Sequence, residues 1–261
     1  MDISLIGKHA IVCGASQGIG LATAQVMSHL GATITLVARN PEPLESAMAT
    51  LEQAAEQKHQ YVAVDFSNPD QVAKRVAGRI NNQAAQILVN NTGGPPGGAA
   101  HTAGTDEYLD AFNKHLVCNQ LLVQTVLPGM RESGYGRIIN VISTSVKQPI
   151  PGLGVSNTIR GAVASWAKTL AAELGPDGIT VNNVLPGSTD TVRLHSIIAN
   201  MARSSDISEE DVASDMKAKI PARRFANASE VANAIAFLAS PAASYINGVN
   251  LPVDGGRTSS L

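Results

Sequence analysis

Gly14, Gly18 and Gly20 punctuate the run Cys13-Gly14-Ala15-Ser16-Gln17-Gly18-Ile19-Gly20. Glycines at that spacing let a chain turn tightly and bring its backbone against a bound group. An apolar run, His9–Cys13, precedes the turn, and a helical pattern over 19–30 follows it. Strand, glycine turn and helix in that order put unpaired N–H groups and the positive end of the peptide dipoles at the turn, where a pyrophosphate binds. Ser16, Gln17 and Ile19 belong to the same cradle. A turn without a ligand can carry the same letters, but the strand before it and the helix after it favour a dinucleotide site. The spacing is Gly-x-x-x-Gly-x-Gly, not the more familiar Gly-x-Gly-x-x-Gly. The second strand ends at Ala38-Arg39, with no acid before Glu42. A carboxylate there would bind both ribose hydroxyls of NAD. Arg39 offers a charge-assisted fork to a 2′-phosphate instead, so NADP(H) is preferred and NAD(H) is the alternative. A solvated surface arginine is the plainer explanation of Arg39, and the missing carboxylate weighs against it.

These residues need a scaffold. Short runs rich in Val and Ile alternate with helical patterns. Strands are predicted at 9–13, 33–38, 61–64, 86–90, 137–142, 179–184 and 250–253. Helices are predicted at 19–30, from Pro41 onward, and at 69–80, about 106–132, 156–174 and 229–239. A glycine- and proline-rich loop covers 93–98, and the more polar stretch 188–226 reads as a helical flap over a substrate. This alternation implies an α/β fold: a doubly wound, Rossmann-like parallel sheet of about seven strands with helices on both faces, since right-handed crossovers allow little else. No linker or internal repeat interrupts it, so 1–261 reads as one domain.

Composition agrees. Aromatics are only 3% of the chain, which suits aliphatic strands buried between helices. A formal net charge of −2 argues against nucleic acid or an anionic membrane surface as partner. Cys13 and Cys118 lack metal-ligand spacing and read as reduced, buried thiols, so no metal is expected. The start of the chain is unlike a signal peptide, and no apolar run reaches the roughly 18 residues of a membrane span. A cytoplasmic location is the default expectation.

The glycine loop resembles the Thr-Gly-x-x-x-Gly-x-Gly signature of the short-chain dehydrogenase/reductase family, with Cys13 in the threonine's place. Asp65, with Phe66 beside it, matches the acid after strand three that meets the adenine. Asn90-Asn91-Thr92-Gly93 is similar to the family's Asn-Asn-Ala-Gly. Asn182-Asn183-Val184-Leu185-Pro186-Gly187, with Thr189 just beyond, resembles the Pro-Gly motif beside the nicotinamide. Val253-Asp254-Gly255-Gly256 resembles the C-terminal signature. These motifs occur in order along nearly the whole chain, and the resemblance is to β-oxoacyl-carrier-protein-reductase-like members.

The resemblance also implies a catalytic tetrad of Asn, Ser, Tyr and Lys. Ser143 matches the serine. The tyrosine's place falls on Ser156 and the lysine's on Arg160, a register supported by Arg160-Gly161-Ala162-Val163; the asparagine's place falls on His115. Only Ser143 is retained. A serine hydroxyl is far less acidic than a phenol, and Arg160 stays charged, so it can position the nicotinamide ribose but cannot shuttle a proton at neutral pH. His115, which ordinarily titrates near neutrality, and Lys147 are the candidate proton donors; a helix histidine and a solvated loop lysine are their plainer explanations. Arg193, His195 and Arg203 in the flap hint at an anionic group, though such charges are usually solvated. The resemblance therefore implies an NADP(H)-dependent oxidoreductase for a small carbonyl or alcohol substrate, assembled as a homo-oligomer, commonly a homotetramer. A nucleotide-binding sensor or partner subunit without redox turnover, and a non-redox lyase or isomerase in the same pocket, are the alternatives.

Overall fold

The computed structural model describes residues 1–54, 57–80 and 83–260. Seven strands form one sheet: β1 (His9–Cys13), β2 (Thr33–Ala38), β3 (Gln60–Ala63), β4 (Ile87–Asn90), β5 (Gly136–Val141), β6 (Ile179–Pro186) and β7 (Asn250–Val253). All are parallel, in the order β3-β2-β1-β4-β5-β6-β7. Strands β1, β4 and β5 are buried throughout, as strands covered on both faces are. On one face α1 (Gly18–His29), α2 (Pro41–Met48) and α9 (Ala228–Ala239) bury Met27, Leu44 and Ile235 against Ile34, Leu36 and Ile87. On the other, α3 (Pro69–Ile80), α5 (Cys118–Ser133) and α6 (Gly154–Leu174) bury Val72, Leu122 and Ala167 against Ile11, Leu88 and Val181. Both cysteines are buried and free; burial pushes the Cys118 thiol up to about 12, and its S–H donates to the Phe66 carbonyl at 3.3 Å.

The expected helix over about 106–132 is present without a break, but its winding changes partway. α4 (Thr105–Phe112) passes into a wider π turn, Asn113–Val117, before α5 begins. His115 lies within that turn, buried. π turns recur at functional sites because they re-aim side chains that regular winding would direct elsewhere. α6 starts at Gly154 rather than at Ser156, and the Gly154 N–H is held by the Gly98 carbonyl at 2.9 Å. The stretch 188–226 contains α7 (Val192–Ser205) and α8 (Glu209–Ala218), which close on a small apolar cluster of their own: Leu194, Ile198, Ala202 and Val212. The Asp190 N–H bonds to the Ala226 carbonyl and the Ala226 N–H to the Ser188 carbonyl, so both ends of this segment are tied together.

Candidate active site

β1 runs to β2 on one side of the sheet and β4 lies on β1's other side, so the chain reverses its direction of travel between β1 and β4. Such a switch point opens a crevice at the carboxyl ends of the strands. Gly14 follows β1 there with φ +59°, a left-handed conformation that glycine adopts without strain. A Cβ on Gly14 would lie 2.5 Å from the Asn91 carbonyl oxygen, and one on Gly20 only 2.1 Å from the Gly14 carbonyl oxygen. The loop is therefore closed on itself and on the end of β4. The Asn91 side-chain amide braces it, donating to the Cys13 carbonyl at 3.2 Å and the Gly14 carbonyl at 3.4 Å. The first turn of α1 carries no acid, and Gln17 before it makes no side-chain cap. Its N–H groups remain available to a phosphate. Arg39 follows β2, and Asp65 lies two residues beyond β3. The Asp65 carboxylate accepts the Ser67 N–H at 2.9 Å; that bond, with Arg39 nearby, holds it below the usual range. These residues fit a dinucleotide.

Beneath the crevice runs an amide ladder. Asn90 Nδ2 donates to Asn140 Oδ1 at 2.9 Å, Asn140 Nδ2 to Asn183 Oδ1 at 2.9 Å, and Asn183 Nδ2 to Asn250 Oδ1 at 2.8 Å. Each pair is also a backbone register pair. A slip of one residue would orphan buried amides, so the ladder locks register where one face of the sheet alone could not. Gly93, Ser143 and Pro186 each stand three residues beyond a rung, and their relative heights are set by it.

Ser143 leaves β5 and its Oγ accepts the Ser145 N–H at 3.1 Å, which starts a short turn, Thr144–Val146. Lys147 follows that turn and is partly buried. Ser156 and Arg160 occupy one face of α6, a helical turn apart, both buried. Arg160 Nη1 donates to the Val141 carbonyl at 3.3 Å, so its guanidinium lies at the end of β5 near Ser143. Burial, and the charge of Arg193, push it down to about 10; it stays cationic at neutral pH. The loop 93–98 is pinned beside it: the Gly98 N–H bonds to the Gly152 carbonyl at 2.7 Å.

His115 is 2% exposed, and Thr92 Oγ1 meets its Nδ1 at 2.6 Å. Burial first, then the charges of Arg160, Lys114 and Arg193, push it down to about 2. The expectation that His115 titrates near neutrality is thus corrected: packing among cations keeps the ring neutral. This has a measurable sign. The unfolded chain takes up this proton near 6.5 and the folded chain not until about 2, so stability is lost as pH falls through that window. At pH 5 the loss is about 2 kcal/mol relative to neutral pH. His9, buried and also pushed down, acts in the same sense. Urea unfolding of the wild type and His115→Asn between pH 7.5 and 5 should show a clearly flatter profile for the variant; parallel profiles would mean that the ring is charged in the fold.

The flap delivers two groups to the cleft: Arg193, which the sequence already suggested, and Thr191, which it did not. Thr191 caps α7, and its Cγ2 would stand 3.3 Å from a Cβ on Gly18, so the flap presses on the glycine loop. Arg193 reaches across to the opposite wall, with Nη1 donating to the Gly94 carbonyl and Nη2 to the Pro95 carbonyl, each at 3.2 Å. Its two companions in sequence do not join it. His195 pairs with Asp190 at 2.8 Å on the exposed surface, and Arg203 bonds to Asn200 within its own helix. Thr92 is the other newcomer; its place in Asn90-Asn91-Thr92-Gly93 was visible, but its contact with the π turn was not. Thr189 is buried, its hydroxyl donating to the Gly187 carbonyl at 3.2 Å. Among the described residues no cluster of His, Cys, Asp and Glu could hold a metal ion, and no helix is long and apolar enough to cross a membrane.

Comparison with known proteins agrees with this geometry. A family model described as enoyl-(acyl carrier protein) reductase matches residues 14–258. The chain is 33% identical over 258 residues to 3-oxoacyl-[acyl-carrier-protein] reductase FabG of Pseudomonas aeruginosa, covering 97% of this chain and 98% of that protein. It is 28% identical over 259 residues to the NADPH-dependent reductase BacG of Bacillus subtilis, covering 97% and 99%. Its fold superposes on L-sorbose reductase of Gluconobacter frateurii, solved with NADPH and L-sorbose, with a TM-score of 0.93, 31% identity and full coverage of both chains. On the glycine cradle, the strand order and these relatives together, the chain belongs to the short-chain dehydrogenase/reductase family of NAD(P)(H)-dependent oxidoreductases acting on carbonyl and alcohol substrates.

Proposed function

We propose that this protein is an NADP(H)-dependent reductase or dehydrogenase of one chain-length domain, 1–261, whose site is built from Ser143, Ser156 and Arg160 in place of the family's usual set. The observation that carries the reading is the closed glycine cradle beside that cleft, with Arg39 and no acid at the end of β2. Gly14, Ser16, Gln17, Gly18, Ile19 and Gly20 take the pyrophosphate, Arg39 the 2′-phosphate, and Asp65 and Phe66 border the adenine. Asn91, Gly93, Pro186, Gly187 and Thr189 complete the walls.

When bound, the nicotinamide supplies or accepts the hydride. The chain's own residues orient and protonate. The Ser143 hydroxyl donates to the substrate carbonyl oxygen, and the cationic Arg160, at the end of β5, holds the substrate beside it. Ser156 is too short to take a phenol's place, so a water fills that space and carries the proton. His115, neutral and held by Thr92, orients that water rather than acting as an acid. Lys147 is the candidate source of the proton. Leu109 and Phe112 of α4, both exposed, suit a homo-oligomer built across this helix.

Purified protein should bind NADPH more tightly than NADH and consume NADPH in the presence of a carbonyl panel, followed by absorbance. Arg39→Ala should weaken NADPH by about 10–100-fold and leave NADH unchanged. Equal losses for both would remove the 2′-phosphate from the assignment. One specific feature favours a second reading: the site lacks a phenol. Tight NADPH binding with no turnover across the panel would identify a nucleotide-binding sensor or partner subunit instead.

A further inference from the structure

Two guanidiniums converge on one glycine. The position a Cβ would take on Gly94 is 2.9 Å from Arg193 Nη2 and 3.7 Å from Arg160 Nη2. Gly94 has no side chain, and the space it leaves is bordered by both cations. Arg160 is only 7% exposed and, among the described residues, its guanidinium donates to the Val141 carbonyl alone. Among the described residues Arg193 bonds only to two neutral carbonyls. Among the described residues neither lies within ion-pair distance of a carboxylate. The other charged or titratable neighbours acting on this spot are Lys114, a cation paired with Asp110, and the neutral His115. The Arg160 charge is buried, and a buried charge without a counter-ion is costly. Bringing a second cation to the first from a different element adds to the cost, which is offset once an anion enters between them.

Resting on the oxidoreductase reading, we propose that the substrate is an oxo-carboxylate, reduced to the hydroxy-carboxylate, and that Arg160 and Arg193 clamp its carboxylate beside Gly94. In the reaction a hydride passes to the carbonyl carbon and a proton to the carbonyl oxygen, NADPH becomes NADP+, and the carboxylate is unchanged. The cofactor's pyrophosphate is the other anion within reach. It is already served by the N-terminus of α1 and the glycine cradle, whereas Arg160 lies at the end of β5 with Ser143. Arg193 enters from the flap, so carboxylate binding also draws α7 towards the loop 93–98. Neutral carbonyls hold the arginine weakly until a carboxylate takes their place.

The test separates the sources. NADPH affinity is measured first, by fluorescence. Then kcat/KM is compared for acetoacetate against ethyl acetoacetate and for 2-oxobutanoate against its ethyl ester. The acids should exceed their esters by about 10²-fold, and Arg193→Ala should remove most of that ratio by slowing the acids alone. Arg193 is on the flap, away from the sheet core, so this variant is the one to read if Arg160→Ala fails to fold; Arg160→Lys is its gentler counterpart. NADPH affinity should change less than about threefold in Arg193→Ala, given the separate phosphate cradle. Acid and ester turned over equally by the wild type would overturn the clamp. So would a loss of NADPH affinity in Arg193→Ala that slows both substrates alike, since the anion would then be the pyrophosphate. If NADPH does not bind at all, the oxidoreductase reading fails by itself. The clamp is then read from the thermal shift produced by acetoacetate alone: present in the wild type and absent in Arg193→Ala if correct, absent in both if wrong.

Discussion

Replacing Gly20 by alanine is expected to weaken NADPH binding by at least 10²-fold, equivalent to about 3 kcal/mol. The added methyl would lie 2.1 Å from the Gly14 carbonyl oxygen and 2.8 Å from Asn91 Nδ2. Neither is the end of a flexible side chain: one is backbone, and the other is the amide that braces the loop. Relief of the clash must open the turn, and an open turn no longer aims the N–H groups of α1 at one point. Some stability is lost as well, so affinity is to be read at a temperature where circular dichroism shows the sheet intact. Gly78→Ala is the control. An added Cβ there meets nothing within 4 Å, and Gly78 lies inside α3. That variant should bind NADPH as the wild type does and gain about 0.5–1 kcal/mol of stability. Unchanged affinity in Gly20→Ala would remove the dinucleotide from this loop.

The second large effect runs in the opposite direction. On the proposed reading, the missing phenol limits turnover. Ser156→Tyr combined with Arg160→Lys should raise kcat for carbonyl reduction by about 10²–10⁴-fold, the usual contribution of a general acid. A phenol has an ordinary pKa near 10, and an ammonium one turn along α6 lowers it further. Arg160→Lys keeps the positive charge beside Gly94, so the carboxylate clamp is weakened rather than abolished. Ser156→Phe with Arg160→Lys supplies the same ring without the hydroxyl and serves as the comparison. If the tyrosine and phenylalanine pairs turn over at the same rate, proton donation is not what the natural site lacks, and the water-borne route through Ser143 and Lys147 carries the reaction unaided.

How much of this was legible beforehand differs element by element. β1, the glycine turn and α1 follow from local composition, and the observed span of β2 matches the expected one. Strand three starts one residue earlier than read, and strand six runs on to Pro186, which are ordinary end effects. The π turn was not legible. Nothing in Asn113-Lys114-His115-Leu116-Val117 departs from helical composition, and the wider winding carries His115 against Thr92 of the loop after β4. Arg193 carried a signal, since charges in a flap are worth noticing, but the same signal fell equally on His195 and Arg203, which face solvent.

Periodicity and turn chemistry act over a few residues. They were enough to specify a parallel α/β sheet and a tight glycine turn after its first strand. Charge state and convergence are long-range properties. That His115 stays neutral, that four asparagines join rung to rung under the crevice, and that Arg160 of α6 meets Arg193 of α7 at Gly94 depend on burial and on which distant segments share a cleft. Desolvation and Coulomb energy are set by that three-dimensional neighbourhood, which only the folded chain decides.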